Sequence, residues 1–323
     1  MNITYTPDQQ RLRGELREYF SRLMTPERRE AFTSTTGEYG HGTAYRDIVA
    51  EMGRDGWLTL GWPEEFGGRA RPMIEQLIFT DEAAIAGVPV PFLTINSVAP
   101  TIMAFGSDEQ KAYFLPRISR GELHFGIGYS EPDSGTDLAS LKTRAVRERA
   151  DDGSEVYRIN GQKMWTSLVA YADWIWLAAR TDPDAKRHKG ISMIVVPTDA
   201  EGFSWTPVRT MAGPDTSATY YQDVVVPASN LVGPEHGGWP LMTNQLNHER
   251  VALTSAGPLQ ASLRQVLAWA RETRSADVGL GGSGVVLDHE WVQAHLARVH
   301  AMAEYLALRN WEIVSASDAT PTR

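Results

Sequence analysis

The chain has 323 residues, no cysteine and a formal net charge of -9. Its length gives room for about two or three domains around sizeable cores, and 42% hydrophobic with 22% charged residues is the balance of an ordinary globular protein. The lack of cysteine excludes disulfides, thiolate chemistry and iron–sulfur clusters and fits a reducing, cytoplasmic setting, while the acidic balance argues against a partner such as nucleic acid, whose phosphates need a basic surface.

The N-terminal segment MNITYTPDQQRLRGELREYF lacks the apolar core of a signal peptide, and no apolar run is long enough for a membrane span. Pro7 and Asp8 mark a helix start, with Leu12, Leu16, Tyr19, Phe20 and Leu23 at helical spacing behind them. A second helix is expected over AYRDIVAEMGRDG, then a turn-rich segment GWLTLGWPEEFGG, then further helices up to DEQKAYFLPRISRG.

The period changes near Gly121. Short β-branched and aromatic runs follow: EVYRI, QKMWTS, DWIWLAAR, GISMIVVP and TYYQDVVVP. Asn160-Gly161 lies between two such runs and is a hairpin signal. Helical pattern returns near Gly238. Asp288 can cap a long final helix with Val292, Leu296, Val299, Ala303, Leu306 and Ile313 on one stripe. The expected fold class is therefore α+β and multidomain. It comprises an N-terminal helical domain (1–121), a middle antiparallel β domain (122–235) and a C-terminal helical domain (236–323). The stripe of the last helix needs more cover than the helix before it offers. The expectation is that other chains, or sequence beyond residue 323, complete this domain.

Three constellations can carry chemistry. In YSEPDSGTD, residues 129–137, small and hydroxyl side chains let backbone N–H groups approach an anion or a flat ring; a plain surface loop is the alternative. In QKMWTS, an indole followed by hydroxyls can meet a heterocycle; core packing is the alternative for any tryptophan. Glu249 falls in the stripe of Met242, Leu246 and Leu253. A carboxylate there is costly unless it is paired, for instance with Arg250, or serves as a general base whose proton affinity is raised by apolar surroundings.

Two other matches are set aside. The sequence 279–284, GLGGSG, fits G-x-G-x-x-G but follows no strand, and reads as a flexible linker. His289, Glu290 and His295 lack the one-turn spacing of a zinc motif, and no metal site is expected.

In chain order the segments resemble the acyl-CoA dehydrogenase family. GWPEEFGG is similar to the family's V-P-E-E-Y-G-G turn, and FGSDEQKAYFLPRISRGE to its G-S-E-E-Q-K-x-x-x-L-P-x-x-x-x-G-E segment. YSEPDSGTDLASLKTRA resembles T-E-P-x-A-G-S-D-x-x-x-x-x-T-x-A, INGQKMWTS resembles I-N-G-x-K-x-W-I-T-N, and DVVVPASNLVG resembles D-V-x-V-P-x-x-N-x-L-G. The resemblance implies a flavin (FAD) and a thioester held at the middle domain. Cofactor contacts would come from Tyr129, Ser130 and Thr136, and from Trp165 and Ser167; Thr136 and Glu249 would also face substrate. QLNHERVAL resembles the family segment L-D-L-E-R, which implies Glu249 as the catalytic base. Leu168 stands where the family commonly has asparagine, and RETRSADVG stands where it has R-x-x-F-G.

The implied reaction is α,β-dehydrogenation of an acyl-CoA to a 2,3-enoyl-CoA, with an electron-transfer partner. IGYSEPDSGTDLASLKT, RTDPDAKRHKGISM, SATYYQDV and QLNHERV are further similar to the base-bearing subunit of heterotetrameric steroid side-chain acyl-CoA dehydrogenases. That implies a bulky CoA ester and a hetero-oligomer with an unlike, related subunit. The alternatives are a non-catalytic scaffold subunit of such an assembly, or a flavin-dependent oxidase or monooxygenase on the same fold.

Overall fold

A computed structural model describes residues 4–33, 43–211, 215–253 and 255–319, with backbone alone for 246–253 and 317–319. Helices α1 (Pro7–Leu23), α2 (Pro26–Thr33), α3 (Ala44–Arg54), α4 (Met73–Ala86), α5 (Ala99–Phe105) and α6 (Asp108–Ser119) come first. Strands β1 (Phe125–Gly128), β2 (Arg144–Arg149), β3 (Glu155–Lys163), β4 (Trp174–Arg180), β5 (Ile191–Pro197), β6 (Phe203–Val208), β7 (Thr216–Pro227) and β8 (Leu231–Val232) follow. Helices α7 (Gly238–Leu253), α8 (Gly257–Glu272) and α9 (Glu290–Ala319) close the order of helices, strands, helices expected from the sequence. Among the described residues, no helix is long and apolar enough to cross a membrane.

Contacts divide the chain into two compact units. The first gathers α1, α4, α8 and α9. Thr6 starts α1 through a reciprocal capping box with Gln9, and Leu12, Leu16, Phe20 and Leu23 are buried along one face. Glu82 of α4 is buried and takes hydrogen bonds from the guanidinium groups of Arg13 and Arg17. Asp81 accepts from the Ser255 hydroxyl at 2.5 Å, and burial holds its carboxyl above the usual range.

Part of the cover for the last helices comes from within the chain, while Leu259, Val266, Trp269, Trp291, Met302 and Tyr305 on α8 and α9 stay exposed. α4 packs on α8 and α9, and α1 packs on α4. The stripe on α9 also differs: Val292, Ala303, Asn310 and Val314 are buried, whereas Val299 and Ile313 are exposed. Asp288 does not cap α9; its carboxylate accepts the Val285 N–H at 2.9 Å within the preceding turn. Nor is 279–284 a free linker. Ser275 N–H donates to Gly284 O at 2.9 Å and Leu280 N–H to Ser275 O at 2.9 Å, closing an ordered loop through left-handed Gly279, Gly281 and Gly282.

The second unit holds α2, α3, α5, α6, the sheet, and α7 as far as Glu249. The strand order is β6-β7-β3-β2-β4-β5-β8, with β1 beside β4. Most pairings are antiparallel, but β1 and β2 run parallel to β4. The continuous apolar runs of β4 and β5 are buried along almost their whole length, and they pack with Tyr157, Ile159, Tyr221, Val224 and Val226.

Asn160-Gly161 is not a hairpin turn. β3 continues through it and carries a bulge against β7 there. The turn between β2 and β3 is at 150–154, where Gly153 N–H donates to Ala150 O at 2.9 Å. Gly161 has φ 156°, and a Cβ there would sit 2.5 Å from Thr143 Oγ1, so the glycine serves close approach of backbones.

Candidate active site

β1 ends at Gly128 and delivers Tyr129, Ser130 and Glu131 to a tight turn, in which Glu131 and Ser134 exchange backbone hydrogen bonds of 2.9 and 3.1 Å. β3 ends at Lys163 and delivers Met164, Trp165, Thr166 and Ser167. The two segments are joined directly: Met164 N–H donates to Ser130 O at 2.8 Å. Tyr129, Ser130, Trp165 and Ser167, singled out from the sequence, are therefore brought together. Thr136 lies exposed further along the same loop.

Trp165 is unusual in two respects. Its φ is 63°, a left-handed conformation that a bulky residue rarely adopts, and the residue is 58% exposed. Thr166 N–H donates to Ser217 O at 2.9 Å, and Ser167 Oγ lies 3.2 Å from Thr216 Oγ1, so the residues after it are tied to β7. Leu168 is also left-handed, at φ 64°. Asparagine adopts that conformation several-fold more readily than leucine does.

Beneath this surface lies a buried ion pair. The ammonium of Lys163 donates to Glu131 Oε1 at 2.8 Å and to Tyr129 O at 3.0 Å. The Glu131 carboxylate also accepts the N–H groups of Lys142, at 2.6 Å, and Thr143, at 2.8 Å. Burial pulls the Lys163 ammonium down to about 8, opposed by the Glu131 charge. Burial alone would push the Glu131 carboxyl up, but the Lys163 charge and the hydrogen bonds it receives bring it below its ordinary value.

α7 reaches the same place. The Tyr129 hydroxyl donates to Gln245 Oε1, and Trp176 Nε1 lies 3.1 Å from both of those oxygens. Gln245 is fully buried. An indole N–H only donates, so the amide must turn its oxygen toward Trp176. Glu249 stands one helical turn later on α7; its side chain lies outside the described residues. Gln245, Trp176, Lys163 and Glu131 were not singled out from the sequence. The available signal was a buried-stripe glutamine three residues after Met242 and a lysine amid a strand's apolar alternation.

Next to the loop is a cavity of about 450 Å³ lined by Asp137, Lys142, Arg144, Arg180 and Arg187, with positive charge in excess. Arg180 is fixed by the carbonyls of Leu141, Ala139 and Arg187 at 2.8–3.0 Å. Such a cavity suits a phosphorylated ligand.

Residues 6–122, 126–224 and 236–323 match the family models for the N-terminal, middle and C-terminal domains of acyl-CoA dehydrogenases. The chain belongs to the acyl-CoA dehydrogenase family. It is 64% identical over 329 aligned residues to acyl-CoA dehydrogenase FadE26 of Mycobacterium tuberculosis, covering 100% of this chain and 80% of that protein. It is 48% identical to acyl-CoA dehydrogenase FadE29 of the same organism, over 98% of this chain and 79% of that protein. Among solved structures, a chain of the ChsE4-ChsE5 complex from Mycobacterium tuberculosis superposes with a TM-score of 0.87 at 62% identity, over 99% of this chain and 79% of that one. A chain of the Tcur3481-Tcur3483 steroid acyl-CoA dehydrogenase superposes with a TM-score of 0.86 at 46% identity, over 99% and 78%. As an acyl-CoA dehydrogenase the protein is an oxidoreductase, and its family is generally FAD-dependent. The three-part fold expected from the sequence is the fold of this family.

Proposed function

We propose that this acyl-CoA dehydrogenase removes the α- and β-hydrogens of a bulky, steroid side-chain CoA ester to give the 2,3-enoyl-CoA, with Glu249 as the base. The division into 1–121, 122–235 and 236–323, with catalysis at the middle part, belongs to the same reading. The observation that carries it is the docking of α7: Gln245 is bonded to Tyr129, the first residue of the loop proposed for the cofactor, and Glu249 follows on the same helix.

The side chains fit FAD. Trp165 offers an exposed aromatic face, Ser130 and Ser167 carry hydroxyls on the two segments joined at Met164, Thr136 adds one further along the loop, and Tyr129, its own hydroxyl turned to Gln245, fixes that loop to α7. Bound FAD supplies the acceptor for the hydride leaving the β-carbon. Glu249 takes the α-proton onto its carboxylate. The cationic walls contributed by Lys142, Arg144, Arg180 and Arg187 hold the phosphates of the CoA moiety and thereby fix the thioester's reach.

The similarity to chains of two-component complexes supports an unlike, related subunit as partner, and the reduced cofactor calls for an electron-transfer partner. We place the enzyme in the cytoplasm, in keeping with its lack of cysteine. The test is co-expression with a companion acyl-CoA dehydrogenase-like subunit, followed by assay of the purified complex. A yellow complex that reduces an artificial acceptor only when a steroid side-chain CoA ester is added supports the proposal. Oxygen consumption without any need for CoA would favour an oxidase or monooxygenase, and a colourless, inert complex a scaffold role.

A further inference from the structure

Lys163 has a side chain with 0% exposure and Glu131 one with 7%. Exchanging a buried ion pair for apolar residues of similar size is often neutral or stabilising, so stability alone gives little reason to keep one. Its connections give a better reason. Through the Lys163 ammonium and the Glu131 carboxylate, the pair binds together the Tyr129 carbonyl, the backbone N–H groups of Lys142 and Thr143, and the end of β3.

The residues just beyond Lys163 carry the strain. Trp165 is left-handed, a strained conformation for a bulky residue that persists only where neighbouring contacts over-determine the backbone. Those contacts are present on both sides. Lys163 is anchored by the ion pair, Met164 by Ser130 O at 2.8 Å, and Thr166 by Ser217 O at 2.9 Å. Two of these anchors also tie the loop bearing Tyr129 and Ser130: the Met164 N–H through Ser130 O, and the ion pair through Tyr129 O and Glu131, which is the one made by side chains.

We propose that Glu131 and Lys163 are positioning residues: their buried pair holds Trp165 in its strained, ring-exposed conformation against the Tyr129–Ser130 loop, so that the flavin-stacking wall is formed before the cofactor arrives. The inference rests on the flavin reading above for its purpose but not for its geometry. Neither residue takes part in proton or hydride transfer; each acts through Trp165 and the loop.

The test compares the full chain with Glu131→Leu/Lys163→Met, a change that removes both charges and keeps apolar volume. Urea unfolding, amide hydrogen exchange over residues 163–167 without flavin, and FAD titration are measured on each. The double variant is expected to unfold at the same urea concentration or higher, yet to exchange at 164 and 166 and to release FAD at least about tenfold more readily. If it does not accumulate as folded protein, Glu131→Gln, which keeps the side chain's shape and one acceptor, is compared in the same way; it leaves the buried Lys163 ammonium unpaired and should unfold at lower urea, while exchange and FAD release are expected to change in the same direction as in the double variant. A variant of either kind that keeps native exchange and native FAD affinity overturns the proposal. The exchange measurement needs no flavin. Native complex with the companion subunit that takes up no FAD would therefore defeat the flavin reading while this arm still reported on the pair.

Discussion

The Tyr129 hydroxyl donates to the side-chain oxygen of Gln245, a residue 116 positions away on α7, and Trp176 Nε1 lies 3.1 Å from the oxygen atoms of both. One buried amide oxygen thus receives a donor from the end of β1 and another from β4. Gln245→Leu fills similar space but leaves the indole N–H and the phenol without that acceptor. The expected cost is about 1–3 kcal/mol, read as a lower urea midpoint at unchanged slope.

Trp165→Gly is expected to act in opposite directions on stability and binding. Glycine adopts the left-handed conformation without strain, so the flavin-free chain should gain about 1 kcal/mol in urea unfolding. The same change removes the exposed ring, and FAD affinity should fall by about tenfold or more in a fluorescence titration.

Glu82 supplies the first unit with a buried carboxylate shared by Arg13 and Arg17, whose side chains are 28% and 50% exposed. Glu82→Gln should destabilise the chain by about 2 kcal/mol, below the ~3–5 of a fully buried pair because water still reaches both guanidinium groups. Thermal unfolding at two salt concentrations checks this, with a smaller difference between variant and native protein at high salt.

His124 is buried against Tyr45, and among the described residues neither ring nitrogen has a hydrogen-bond partner. Burial first, then the charge of Arg46, draws its pKa from 6.5 down to about 4. Between those values the unfolded chain takes a proton that the folded chain refuses. Stability is therefore full above about 6.5, falls as pH drops toward about 4 by on the order of 3 kcal/mol, and is level below. Unfolding measured across this window should show the slope, and His124→Phe should flatten it.

The parts of the fold visible in the sequence are those written in local pattern. The capping of α1, the helix–strand–helix order and the segments carrying Tyr129 and Trp165 all depend on residues close in sequence. What was not visible depends on distant partners. Lys163 needs Glu131, Gln245 needs Tyr129 and Trp176, and neither pairing has any periodic trace. Asn160-Gly161 carries the local signature of a hairpin, but pairing with β7 on one side and the close approach of Thr143 make it a bulge within a continuous strand. The stripe of α9 shifted for a similar reason: α4 and α8 decide which of its residues are covered.

Glu249→Gln decides whether the proposed carboxylate on α7 takes the α-proton beside a flavin. The variant should purify yellow, with the flavin content of the native complex, and its flavin absorbance should stay unbleached when the CoA ester is mixed in without oxygen. Bleaching at the native rate would show that the proton leaves to another group and would contradict the account.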